Sequence, residues 1–85
     1  MKGDQIYLVW RKVRKEGKPA INYVARIFAD VKDAANEVRM QYASEVPTSK
    51  WHNLEEGFEE NSVRYKLLTE DDREVSEWIS DRIVK

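Results

Sequence analysis

Eighty-five residues with a net charge of −1, 11% aromatic side chains and no cysteine make one small domain, residues 1–85, able to bury a single modest core. The missing cysteines exclude disulfides, thiolate metal centres and thiol catalysis, and fit a reducing compartment. No apolar run approaches the length of a membrane span and the opening Met1-Lys2-Gly3-Asp4-Gln5 carries no apolar segment, so a cytoplasmic protein with no membrane contact is expected.

Gln5 to Arg14 reads as a first strand, because Ile6-Tyr7-Leu8-Val9-Trp10 is β-branched and aromatic. Its start is apolar on both parities, which places it inside the sheet. Arg11, Lys12, Arg14 and Lys15 then carry it into water. Lys15-Glu16-Gly17-Lys18-Pro19 is a turn, with Gly17 free to take positive φ, so the hairpin has a basic tip. The second strand runs from about Ile21 to Phe28. Strict alternation puts Ile21, Tyr23, Ala25 and Ile27 under a helix and leaves Asn22, Val24, Arg26 and Phe28 on the opposite face.

Asp30 opens that helix, with Asp33 as a second acid at the positive end of the helix dipole. Val31, Ala34, Ala35, Val38 and Tyr42 recur at helical spacing as one apolar stripe. The helix ends near Ser44, since Pro47 disfavours helical geometry before it. Pro47 to Asn61 reads as an ordered irregular excursion, in which one short helical turn would direct Trp51, Leu54 and Phe58 to the core. Ser62 to Leu68 alternates as a third strand. Thr69-Glu70-Asp71-Asp72 is a good helix start, with Val75, Trp78, Ile79 and Ile83 following at helical spacing. The alternative is a hairpin into a strand from about Val75 to Val84; capping and propensity favour the helix. The expected fold is therefore α+β: an antiparallel sheet of three or four strands, in the order β-β-α-β followed by α or β, with the main helix on one face.

Charge is segregated along the chain. Ten Lys/Arg stand against six Asp/Glu through Lys50, and five against ten from Trp51 onward. The sequence leaves open whether this makes opposed surfaces or pairs within the molecule. His52 is the only imidazole, and its plain reading is a loop histidine beside an anchoring tryptophan. The carboxylates grouped at Glu55 to Glu60 and Glu70 to Asp81 lack the spacing of a calcium loop and read as solvated faces. No phosphate-cradling glycine motif, nucleophile elbow or zinc-helix motif occurs. An enzyme, a metal and a cofactor are all unexpected.

Two surfaces remain. Arg11, Lys12, Arg14, Lys15, Lys18 and Arg26, interleaved with Trp10 and Tyr23, would suit the phosphates and bases of single-stranded nucleic acid. Val24, Phe28 and Trp10, turned away from the helix, would suit a protein. The layout of a hairpin, a helix and a strand in a short chain without cysteine is similar to that of many small bacterial and bacteriophage accessory proteins. That likeness implies a non-catalytic protein that inhibits or adapts by binding. The favoured expectation is a protein-binding module acting through Trp10, Arg11, Lys12, Arg14, Lys15, Val24, Arg26 and Phe28. Nucleic acid is the alternative partner, and a symmetric dimer through the open face or a strand edge is a further one.

Overall fold

The computed structural model describes residues 4–84. Five strands, β1 (Asp4–Arg14), β2 (Ile21–Phe28), β3 (Ser49–Glu55), β4 (Arg64–Thr69) and β5 (Glu74–Val84), form one antiparallel sheet in the order β2-β1-β5-β4-β3. One helix, α1 (Val31–Glu45), packs across one face of it. The α+β class and the single covering helix agree with the sequence reading; the sheet has five strands where three or four are expected.

The helix forms as its residues dictate. The Asp30 carboxylate accepts from the Lys32 N–H at 2.8 Å, and Asp33 lies in the first turn. Ala34, Ala35 and Val38 are fully buried, and Val31 and Tyr42 are half-buried on the same stripe. They pack on Val9, Val63, Tyr65, Leu67, Val75 and Ile79, joined by Tyr7, Phe28 and Leu54. Gly17 takes φ 74° in the β1–β2 turn, as that turn requires.

The C-terminal segment is the strand of the two alternatives. β5 pairs with β1 along its whole length, from Asp4 against Val84 to Arg14 against Glu74. Its helix-side line is Val75, Glu77 and Ile79, all buried, while Trp78 stands on the other face. A charged residue in the middle of the buried line conceals the period-two pattern. The apparent helix cap does turn work instead. The Thr69 hydroxyl accepts from the Arg73 N–H at 2.9 Å, and Asp72 takes φ 65°, closing the β4–β5 hairpin.

Two further expectations are corrected. Ser49 to Glu55 is a strand, not part of an irregular excursion, so Trp51 and Leu54 point to opposite faces; Phe58 is fully exposed in the loop beyond. In β2, Val9 pairs with Arg26 but Trp10 pairs with Val24, so Ala25 is a bulge residue that interrupts the alternation. Phe28, opposite Tyr7, therefore joins the core, and Arg26 faces Glu37 of the helix at 3.9 Å. Val24 and Ile27 share the opposite face with Trp10 and Leu8.

The charge segregation resolves within the molecule. Arg11 pairs with Glu77, Arg14 with Glu74, Arg39 with Glu56 and Glu60, and Lys50 with Asp72, each joining the basic half to the acidic half.

Leu67, 1% exposed on β4, sits at the centre of the cluster under α1. Leu67→Ala is expected to lower the unfolding free energy by about 2–5 kcal/mol, measured by urea denaturation.

Candidate functional site

The register puts all three tryptophans on the face without a helix. Trp10 of β1 lies opposite Trp78 of β5 and Val24 of β2, and Trp51 of β3 lies opposite Leu68 of β4. The Trp10 and Trp78 rings stack with centroids 6.3 Å apart and planes 7° apart, and the Trp10 indole N–H donates to the Ser80 hydroxyl at 2.8 Å. Leu8, next in line between Ser80 and Ile27, is buried although no helix covers it, because its neighbours on the sheet shield it. At the margins Trp51 is 51% and Ile27 62% exposed. The result is an apolar patch of Trp10, Trp78, Val24, Leu8 and Ile27 on β2, β1 and β5, and a second apolar pair, Trp51 and Leu68, that the polar row of Lys12, Ser76, Lys66 and Asn53 separates from it.

Charged groups stand among these residues on the same face. Arg14 pairs with Glu74 at 2.8 Å and Arg64 with Glu55 at 2.6 Å. Lys12 and Lys66 flank Ser76 in one cross-strand row, and neither has an ion-pair partner among the described residues. Pairing of β4 with β5 begins at Tyr65, and ahead of it a groove of about 770 Å³ opens beside Trp78, lined by Asn53, Arg64, Lys66 and Ser76 among others.

The residues singled out from the sequence thus divide. Trp10, Lys12, Arg14 and Val24 share the open face. Lys15 stands in the exposed hairpin turn, its carbonyl accepting from the Lys18 N–H at 3.0 Å. Arg11, Arg26 and Phe28 face the helix. Trp51, Trp78, Leu8 and Ile27 belong to the surface but were not among the expected residues. Reading Trp51 and Trp78 as strand residues would have placed them there; the helical alternative hid both.

Arg11 is the most deeply committed of the basic residues. It lies in one cross-strand row with Glu77 and Tyr65. Its guanidinium donates to Glu77 at 2.8 Å, to the Tyr65 hydroxyl at 3.3 Å, and to Glu45 in the last turn of α1. The Tyr65 hydroxyl in turn donates to Glu45 at 3.1 Å. Burial pulls the Arg11 guanidinium down, but its bonds to the two carboxylates more than offset this and hold it above its ordinary range. Burial raises the Tyr65 phenol, and the charges of Glu77 and Glu45 raise it further. Glu77, only 2% exposed, is pushed up by burial more strongly than Arg11 draws it down, and its Oε1 has no hydrogen-bond partner. The cluster is closed beneath the helix and joins layers. His52 also lies on the helix side, 2.7 Å from the Tyr42 hydroxyl through Nδ1.

A carboxyl whose folded pKa lies above its unfolded value contributes stability at low pH that is lost as pH rises through the folded pKa. Arg11→Met removes the charge that limits this. The variant is expected to lose about 3 kcal/mol at neutral pH and to regain stability as the solution is acidified toward the carboxyl range, where Glu77 takes up a proton. Urea midpoints measured at several pH values for the variant and the parent check both the size and the sign.

Among the described residues no helix is long and apolar enough to cross a membrane, and no group of three or more His, Asp or Glu is placed to hold a metal ion. No family model matches the chain, and neither a curated protein nor a solved structure shows a significant match to it.

Proposed function

We propose that this domain is a non-catalytic protein-binding module that works through the open face of its sheet. The supporting observation is the patch of Trp10, Trp78, Leu8, Val24 and Ile27 on the one face that the helix leaves uncovered, with Trp51 and Leu68 on the same face beyond the lysine row. Interface cores are enriched in such aromatic anchors and depleted in charge, with polar groups at the rim. Lys12 and Lys66, which have no ion-pair partner among the described residues, stand between these two apolar groups, so the partner surface is apolar with carboxylates opposite that row. Acting by occupying such a surface, the module would inhibit its partner or tether it to another protein.

Single-stranded nucleic acid is the competing partner, since aromatic rings beside basic groups also stack bases. Two features favour protein. Trp10 and Trp78 spend one ring face each on one another, and Trp10 is further tied through its indole N–H. The aliphatic residues around them offer nothing specific to a base.

The experiment begins with affinity purification from the native host, using the intact chain and the Trp51→Ala and Ile27→Asp variants, both altered at exposed positions. The expected outcome is one protein, identified and then purified, that binds directly at moderate salt and loses about 2 kcal/mol of binding with either variant. In parallel, fluorescence anisotropy with a labelled oligo-dT strand is expected to show no tight binding. Tight, steeply salt-dependent binding of that strand, removed by neutralising Lys12 and Lys66, would replace this reading with the nucleic-acid one.

A further inference from the structure

We propose that β2 is a self-association edge: two copies of this chain join antiparallel along β2, so that their sheets become one. Among the described residues β2 is a terminal strand and pairs only with β1, which leaves one side of its backbone N–H and C=O groups unused by their sheet. Six of its eight residues are exposed, among them apolar side chains on both faces: Ile21 (65%) and Tyr23 on the helix side, Val24 and Ile27 on the other. The helix stops short of Ile21 and Tyr23. Its only charge is Arg26.

The opposite edge is built differently. β3 carries a register irregularity before Trp51 and sets Lys50, His52, Asn53 and Glu55 along its length. Two of these are held in ion pairs, Lys50 with Asp72 and Glu55 with Arg64. These are the devices that keep an edge from pairing. β2 has its bulge and a single charged residue, Arg26.

A second copy fits β2 in a defined way. A twofold axis perpendicular to the sheet keeps both helices on one side, so residues that meet must share a face. Because Ala25 interrupts the alternation, the register that satisfies this along all eight residues is centred between Val24 and Ala25. Ile21 then meets Phe28 of the second copy, Asn22 meets Ile27, and Tyr23 meets Arg26. The same register sets the hairpin turn, with Lys15 and Lys18, beside the helix start of the other copy, with Asp30 and Asp33, and does so twice. Allowing for Glu16 and Lys32, the two ends still carry unlike net charge. A stable dimer buries on the order of 1,200 Å² or more, beyond what a bare ladder of this length supplies. The flanking Ile21, Tyr23, Val24 and Ile27 therefore have to be part of the interface.

Sedimentation velocity over a wide concentration range tests this on the intact chain. A reversible monomer–dimer equilibrium is expected. Ile21→Lys with Ile27→Lys, both at exposed positions, should weaken it about tenfold or more while circular dichroism shows the fold retained. Lys18→Glu and Asp33→Lys should each weaken it, and together restore it. Trp51→Ala, on the open face, should leave it unchanged. A monomer at every concentration, a dimer indifferent to the Ile21 and Ile27 changes, or a double reversal that fails to restore association would overturn the proposal. Val24 and Ile27 belong to both surfaces, so Ile21→Lys with Ile27→Lys is read for self-association only, and Trp51→Ala reports on the open-face site independently of the edge.

Discussion

The Arg11 guanidinium is the point at which the two layers are held in register. It touches β5 through Glu77, β4 through Tyr65 and the end of α1 through Glu45. Three elements separated by long stretches of sequence thus meet on one side chain of a fourth. Removing such charges from water is costly, and a buried pair is a poor source of net stability. Its value here is positional. Glu45 lies at the negative end of the helix dipole, and the last turn of α1 carries no basic residue to offset it. Arg11 supplies that missing charge from the sheet below, and in doing so fixes where the helix must end.

Once the helix is fixed there, the geometry of the remaining surface follows. A helix about 10 Å across cannot cover five strands spaced about 4.8 Å apart, even on its own side. Ile21 and Tyr23 are left exposed on that side. On the other side nothing covers the sheet, and its apolar residues must shield one another. The stacked Trp10 and Trp78 rings and the burial of Leu8 show how far this goes. What the strand pairs cannot shield, Trp51 and Ile27 among them, stays in water at the margin, where a partner would reach it.

The parts of the fold legible in the sequence are those where local period and tertiary burial agree. β1, β4 and α1 satisfy both, and the helix runs from Val31 to Glu45 against an expected end near Ser44. The misread parts are those where one residue breaks the period for a tertiary reason. Glu77 stands in a buried line because Arg11 awaits it across the ladder, which no local pattern can show. Ala25 shifts the register of β2, so that Phe28 belongs to the core and Ile27 to the surface. β3 is polar because it is an edge, and an edge strand gives little periodic signal. Of the candidate site, Trp10, Lys12, Arg14 and Val24 were found because they precede the bulge or lie on an unbroken strand. Trp51 and Trp78 were missed because their strands were.

The open face and the β2 edge share Val24 and Ile27 but not Trp10, Trp51 or Trp78, so pairing at the edge leaves the three tryptophans accessible to a partner. A twofold axis perpendicular to the sheet would also keep the two open faces on the same side of the joined sheet. Each would then present its own Trp10, Trp51 and Trp78 toward a common target. A partner with two copies of the matching surface would meet both at high effective concentration, and the second contact would strengthen the first without any new residue. For a chain this small, whose single face offers a small apolar patch, pairing at the edge is a physical route to firm binding that needs no enlargement of the domain.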